Sequence, residues 1–262
     1  MNILLTKNYQ KKIKNMTTKV FSISEALHFG WNTTKSNFGI LIGFSIAMLV
    51  IFRMNSIIPT IAPENIFLEP ISSIIAAVLY LVVMMGMIKT TLRLCDQEKA
   101  RFSDFFSQYH LFFRYFFAIV LWGLITWVGM ILLIIPGIIW GIKYFFCDYF
   151  VIDKKSKPIE ALKQSAVITQ GAKWQLFVFF ITIGLISILS LLPYLISFFV
   201  TFPAFMLVLD RLFLSIGSFI TTPITMLATA FVYRKLLART EIVTTSQIVP
   251  QVASQVAPEA IV

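Results

Sequence analysis

The feature that most constrains this chain is a series of long apolar blocks, each bounded by polar and basic sequence. The clearest block, Tyr115–Ile135, would be about 31 Å long as an α-helix, which is enough to cross the hydrocarbon core of a bilayer. Only 13% of the residues are charged and 58% are hydrophobic. In a soluble domain about 25% of the residues are charged and about 45–50% are apolar. Because so few charges cannot cover a water-facing surface, the sequence predicts an all-α, polytopic transmembrane bundle.

Six of the apolar blocks are candidate spans: 38–58, 71–88, 115–135, 138–152, 174–200 and 212–233. The fourth is short and follows Pro136 and Gly137, which we interpret as a helix break. Proline interrupts the helical hydrogen-bond ladder, and glycine accepts a left-handed turn. The fourth block either crosses the membrane or forms a re-entrant segment. The fold class is therefore six spans or, as the alternative, four spans plus a re-entrant segment.

Three polar segments are expected to form interfacial amphipathic helices: Ser22–Ser36, Ser103–Phe113 and Pro158–Gly171. In the first, Ser22 and Glu25 have the spacing of a capping box. Glu25-Ala26-Leu27 recurs as Glu160-Ala161-Leu162, and Thr34 matches Thr169 at the same offset of 135 residues, so an internal repeat is one interpretation.

Three regions follow from this organisation. Residues 1–20 form a basic cytoplasmic tail, residues 21–238 form the transmembrane helical domain, and residues 239–262 form a second cytoplasmic tail. The C-terminal tail has no helical period and is expected to be disordered.

Lysine and arginine are concentrated between the blocks, and 19 of the 22 lie in four segments: 1–37, 89–114, 153–173 and 234–262. Positive residues are retained on the cytoplasmic side of a bacterial inner membrane, so both termini are expected there. Basic residues beside apolar faces should bind the anionic inner leaflet, at about 1 kcal/mol per nearby cation. The net charge of +10 is thus attributed to the membrane, and nucleic-acid binding is not expected.

Lys143 and Asp148 are a candidate intramembrane polar site within the fourth block. A charge deep in a bilayer costs about 2.5–3.5 kcal/mol, so Lys143 either contacts a substrate or ion, or extends to the interface. The two residues are five apart, about 140° around a helix, which makes them poor partners for each other.

Two pairs of glycines have the spacing that permits close helix approach: Gly39 with Gly43, and Gly137 with Gly141. Small residues four apart let helix backbones pack directly in a membrane. The pairs are interpreted as helix-packing positions inside the bundle, with association of a second copy left open.

No pattern in the sequence points to catalysis. The chain has two cysteines and two histidines, none near another, and it lacks a P-loop, a dinucleotide fingerprint or zinc-ligand spacing. No catalytic, cofactor-binding or metal-binding residue is predicted, and no cofactor is expected. The sequence therefore favours a protein that is not an enzyme.

Several motifs together resemble a known group of proteins. They are Leu132–Trp140, Val151–Lys154, Pro158–Ser165, Ser24–Leu27 and Gly30-Trp31. This set resembles an uncharacterised family of bacterial integral membrane proteins related to the membrane domain of glycerophosphoryl diester phosphodiesterases. The resemblance covers about residues 20–238, with its strong motif at about 130–175, and implies a multi-span inner-membrane protein without an assigned reaction. In those phosphodiesterases a separate soluble domain with acidic and histidine ligands performs catalysis, and nothing comparable exists here.

Three functions remain open on this basis. The first is an integral inner-membrane protein without catalytic activity that organises lipid or partner proteins. The second is a small-solute transporter or channel, favoured by the break at Pro136-Gly137 and by Lys143. The third is an accessory membrane subunit of a lipid-metabolising enzyme, which the family resemblance alone suggests.

Overall fold

The computed structural model describes residues 20–61, 67–199 and 220–243, and within these ranges the chain is helical without a strand. The helices are α1 (Ile23–Ser36), α2 (Phe38–Ile61), α3 (Leu68–Cys95), α4 (Phe112–Leu132), α5 (Ile134–Tyr144), α6 (Cys147–Lys154), α7 (Pro158–Ile168), α8 (Lys173–Phe199) and α9, residues 220–243. The predicted tail at residues 1–19, residues 244–262 and part of the sixth predicted block, 212–219, lie outside the described residues.

Several of these helices are long and apolar enough to cross a membrane. Three stretches qualify alone: Leu68–Cys95, Phe102–Leu132 and Ile134–Lys154. Two further pairs qualify only together, α1 with α2 and α7 with α8, and they are bent by 93° and 103°. The described residues thus hold three to five candidate spans. The prediction of an all-helical chain with several potential spans is confirmed, whereas the number six is not.

Helices α5 and α6 run back along α4 in the opposite direction. Near the turn, Gly129 packs against Gly137. Farther along, the Trp122 indole N–H donates to the Gly141 carbonyl at 3.0 Å. At the start of α4, Arg114 donates to the carbonyl of Lys155 at 2.9 Å. Residues 134–154 therefore return to the end of the bundle from which α4 starts.

The turn of this hairpin differs from the sequence-based interpretation. The chain leaves the helical conformation at Leu133, with φ −163° and ψ 141°, and not at Pro136-Gly137. Pro136 lies in the first turn of α5, and the Gly137 N–H already donates to the Leu133 carbonyl at 3.3 Å. Proline is accommodated there because N–H groups of a first helical turn have no partner within the helix.

Helices α2 and α3 form the first hairpin of the chain, and α4 with α5 and α6 forms the second. The segment between the two hairpins is not the amphipathic α-helix predicted at Ser103–Phe113. Phe102–Phe105 and Tyr109–Leu111 are two short 3-10 turns. Phe105 is buried, and its backbone lies so close to Gly86 of α3 that an added Cβ there would clash with the Phe105 carbonyl oxygen. This backbone contact and the ion pair of Asp104 with Arg93 replace a continuous surface helix.

Helices α1 and α7 are equivalent in several respects, as the offset of 135 residues suggests. Each precedes a long helix and is bent sharply away from it. Thr34 and Thr169 are buried, and their hydroxyls donate to the carbonyls of Gly30 at 2.7 Å and Ser165 at 2.9 Å, four residues earlier. The two segments share this local geometry, and the internal repeat stays a prediction.

The N-terminus of α1 is capped by Ser22, whose hydroxyl accepts the Glu25 N–H at 3.4 Å. The capping box is only half formed, because the Glu25 carboxylate pairs with Lys235 of α9 at 3.2 Å. At the other end of the chain, α9 continues to residue 243, past the tail boundary predicted at 239. Contacts outside the helix support this extension, since Arg239 donates to the Gln170 carbonyl.

The four glycines predicted to pack helices have different surroundings. Gly137 faces Met130 of α4, where an added Cβ would lie 2.6 Å from a backbone nitrogen, and Gly141 lies more loosely against Thr126. Gly43 lies against the Phe102 ring, while a Cβ on Gly39 would meet nothing within 4 Å. The closest approach of helix backbones among these sites is at Gly137.

Replacing Gly137 by alanine is expected to destabilise the protein by about 1–3 kcal/mol, because the new methyl group would meet the backbone of Met130. Gly39→Ala is the matched control, and it should be neutral or stabilising by up to about 1 kcal/mol through helix propensity. The measurement is the free energy of unfolding in detergent. Equal effects of the two substitutions would contradict the close packing of α4 and α5.

Candidate functional site

One end of the bundle brings the four basic segments together. Glu25 pairs with Lys235, which joins the first segment to the last. Arg114 donates to Lys155, which joins the second to the third, and Arg239 donates to the Gln170 carbonyl at 3.4 Å, which joins the third to the last. We call this surface the basic end. Because direct contacts connect all four segments, each intervening helical pair leaves the basic end and returns to it.

Arg234 of α9 is the centre of an ion-pair network at the basic end. It pairs with Asp153 at 2.8 Å and with Asp96, which caps α3. The Tyr233 hydroxyl also donates to Asp153, at 3.0 Å. Burial lowers the pKa of the Arg234 guanidinium, but its bonds to the two carboxylates raise that pKa by more, so the side chain stays charged. The network ties the ends of α3 and α6 to α9.

A second network holds the chain between α3 and α4. The Nη1 of Arg93 donates to both carboxylate oxygens of Asp104, at 2.7 and 2.8 Å, and the Nε of Arg93 donates to Glu98 at 2.9 Å. Asp104 in addition accepts the backbone N–H of Arg101 at 2.9 Å. A guanidinium has several donors in fixed directions and can therefore bond to two carboxylates at once. These charges therefore have structural partners within the protein.

Lys143 and Asp148, the candidate intramembrane polar site, lie on opposite sides of the break between α5 and α6. No ion pair joins the two side chains within the described ranges. The Lys143 ammonium lies 4.9 Å from the centre of the Tyr144 ring, and Asp148 accepts the N–H of Tyr149 at 2.8 Å. The structure does not bring them into one site, and a role in binding a substrate or ion stays a prediction.

At the break between α5 and α6, Lys143 makes its polar contacts through its backbone carbonyl. Where the helix is interrupted, the Lys143 carbonyl accepts the hydroxyls of Ser165 at 3.0 Å and Thr169 at 3.2 Å. Ser165 also accepts the N–H of Phe146 at 3.1 Å. Both hydroxyl residues are fully buried. Helix α7 thus satisfies the backbone groups that the break between α5 and α6 leaves unpaired.

A cavity of about 620 Å³ opens at the basic end between α4, α6, α7 and α9. We call it the basic cavity. Its charged lining consists of five cations and one carboxylate: Arg114, Lys154, Lys155, Lys157, Lys163 and Glu160. Apolar side chains form another part of the wall, among them Phe150, Ile168 and Leu237. The cavity therefore combines a strong positive charge with an apolar surface.

The cations of the basic cavity differ from those of the two networks. Arg93, Arg234 and Lys235 each pair with a carboxylate, whereas no cation of the cavity lies within ion-pair distance of one in the part of the chain that the structure describes. Among the described residues, Glu160 accepts the Gln164 amide at 3.4 Å. Because the five cations are exposed, their N–H groups are available to water or to an anion from outside the protein.

Sequence reasoning found part of this site. It assigned Pro158–Gly171 to a basic surface helix that binds lipid, and it placed residues 153–173 with the other cationic segments. It did not connect Arg114 with Lys155, because the two are 41 residues apart and no local pattern links them. The run of three lysines at 154, 155 and 157 was the available signal.

No family model, curated protein or solved structure matches the chain. The resemblance to proteins related to the phosphodiesterase membrane domain stays a prediction, as nothing found links the chain to that domain. Among the described residues, no three histidine, cysteine or acidic side chains are grouped as metal ligands would be.

Substituting Asp153 by asparagine is expected to lower the free energy of unfolding by about 1.5–3 kcal/mol, because it removes charged hydrogen bonds to Arg234 and Tyr233. Glu98→Gln is the control. The Glu98 side chain is 57% exposed, so its ion pair with Arg93 should contribute less than about 1 kcal/mol to the free energy of unfolding. Reversible unfolding of both variants in the same detergent measures the difference. An Asp153 variant no less stable than the control would refute the role of the network.

Proposed function

We propose that this protein is an integral membrane protein with six crossings that organises lipid or partner proteins through its basic end and catalyses no reaction of its own. The observation that carries the proposal is the collection of the four cationic segments at one end of the helices. Cations on one side of an apolar bundle are typical of a protein whose charged end faces the cytoplasm and the anionic headgroups there.

The six crossings are inferred from three pairs of helices that leave the basic end and return. Helices α2 and α3 form the first pair, and α4 with α5–α6 forms the second. The third begins with α8, and its last member is α9, whose Arg239 contacts the carbonyl of Gln170 near the start of α8. The return of α5–α6 to the level of Arg114 favours a complete crossing by this segment rather than a re-entrant segment.

The same arrangement supports a location in a cell membrane with the basic end at the cytoplasmic face. The ends of α3 and α6 and the second half of α9 carry the ion pairs, while the exposed surface of α4 and α5 is apolar, as at Trp127, Ile131 and Ile135. Large apolar side chains that are more than half exposed need lipid or another protein as their neighbour. We infer that lipid covers them.

Transport remains the alternative function. A transport site requires polar groups that converge within the bundle. In the described chain, the polar groups at the break between α5 and α6 bond to Ser165 and Thr169 of α7, and Lys143 and Asp148 do not meet. These contacts favour a structural and lipid-binding role over a path for solutes.

Sidedness is tested by single cysteines in a variant lacking Cys95 and Cys147. A cysteine at Leu133, at the turn between α4 and α5, should react with a membrane-impermeant maleimide added to intact cells. A cysteine at Lys154 should react only after the membrane is permeabilised. Labelling of the second position in intact cells would reverse the proposed orientation, and protection at both positions would contradict a crossing by α4.

Preference for anionic lipid is tested on the whole protein in detergent by native mass spectrometry. Phosphatidylglycerol should be retained more strongly than phosphatidylcholine, because at about 1 kcal/mol per cation several lysines act together. Raising the salt concentration should weaken the preference through screening. Equal retention of the two lipids would argue against lipid organisation by the basic end.

A further inference from the structure

We propose that the basic cavity binds the phosphate group of an anionic phospholipid, with Arg114, Lys155 and Lys157 as the principal contacts. This inference rests on the proposed function and makes it more specific. It replaces a diffuse attraction between the basic end and the membrane with one defined site, formed where the start of α4 meets the turn between α6 and α7.

The charge balance of the cavity is the first argument. Five cations and one carboxylate line it, and none of the five forms an ion pair within the described chain. All five side chains are exposed to solvent, and an anion that enters the cavity is attracted by each of them. A phosphate accepts bonds from several lysines at once and offers a guanidinium a two-pronged contact.

The turn that carries the lysines is fixed without a ligand. The N–H groups of Lys155 and Ser156 both donate to the Phe150 carbonyl, and the Ser156 hydroxyl donates to Gln164 at 2.7 Å. Arg114 holds the same turn from the other side through the Lys155 carbonyl. Such preorganisation lowers the entropy lost on binding.

Lys155 occupies a position that suits glycine better. Its φ is 54°, in the left-handed region that side chains with a Cβ adopt only at a cost, and it follows the last residue of α6 at the place where helices commonly end in glycine. A long cationic side chain here has no partner that would compensate for that cost within the described chain. Binding of an anion in the adjacent cavity would explain why a lysine, and not a glycine, occupies this position.

The position and the wall of the cavity favour a lipid over a soluble anion. Arg114 lies in the first turn of α4, and Lys154 is the last residue of the candidate span Ile134–Lys154, so both lie where helix ends would meet the headgroup layer. Val167, which is more than half exposed, and Leu237, which is partly exposed, form an apolar wall beside the charges. A glycerol backbone and the first methylenes of an acyl chain would bury that surface.

The decisive comparison uses two double variants of the full chain that each lose two positive charges. Lys155→Gln with Lys157→Gln changes the cavity. Lys99→Gln with Lys173→Gln, both exposed residues in the cationic segments that do not line the cavity, is the matched control. Retention of phosphatidylglycerol against phosphatidylcholine is measured by native mass spectrometry. The cavity variant should lose about 25-fold in affinity, about fivefold per lysine, whereas the control should stay near the wild type.

Lys155→Gly tests the same site independently of folding. Glycine removes the left-handed strain, so the unfolding midpoint should rise by about 2–4 °C, while affinity for phosphatidylglycerol falls about fivefold. A lysine with only a structural role would not lose binding while gaining stability. A variant with unchanged affinity would overturn the assignment of Lys155.

The remaining outcomes separate this inference from the proposed function. If both double variants lose affinity equally, the basic end binds lipid diffusely and the cavity is not the site. If the wild type shows no preference for phosphatidylglycerol, the proposed function fails, and the inference fails with it. If inorganic phosphate displaces the lipid from the wild type at equal concentration, the cavity is a site for soluble phosphate instead.

Discussion

The structure depends on one constraint of an apolar environment: a backbone N–H or carbonyl that leaves the helical pattern must find another partner within the protein. The interruption between α5 and α6 exposes the carbonyl of Lys143 and the N–H of Phe146. Ser165 and Thr169 supply the missing bonds. These four groups fix α7 against the second hairpin, which in turn sets the position of the turn before α7 and of the cavity beside it. One face of α7 is thus held against the bundle by the interruption between α5 and α6.

Charge at the basic end has two separate roles. Arg93 and Arg234 are paired with carboxylates of other segments and hold the ends of the helices together. The cations around the basic cavity are left without such partners in the described chain, although Asp153 and Glu160 lie close in sequence to the lysines. Solubility and orientation in a membrane depend on the number of charges and do not require that some cations are paired and others are not. The paired cations thus have a structural role, and we propose lipid binding for the unpaired ones.

The hairpins explain how a chain with few polar residues organises this end. Each pair of helices leaves the basic end and returns to it, so that segments far apart in sequence become neighbours. Close contact of α4 with α5 at Gly129 and Gly137 keeps the second hairpin narrow. That close contact helps bring Arg114 to the level of Lys155.

Local patterns in the sequence determined the helical class, the apolar lengths suited to a membrane, the cap at Ser22 and the four cationic segments, because each depends on residues within one or two helical turns. Only the tertiary structure decided where the hairpin turns, since Pro136 is compatible with a first helical turn and Leu133 carries no break signal of its own. It also replaced the expected helix at Ser103–Phe113 by short turns, through contacts with Gly86 and Arg93 on another helix. The basic cavity, too, was decided only by the tertiary structure. Its cations are evident in the sequence, but their convergence depends on the packing of helices whose residues are far apart along the chain.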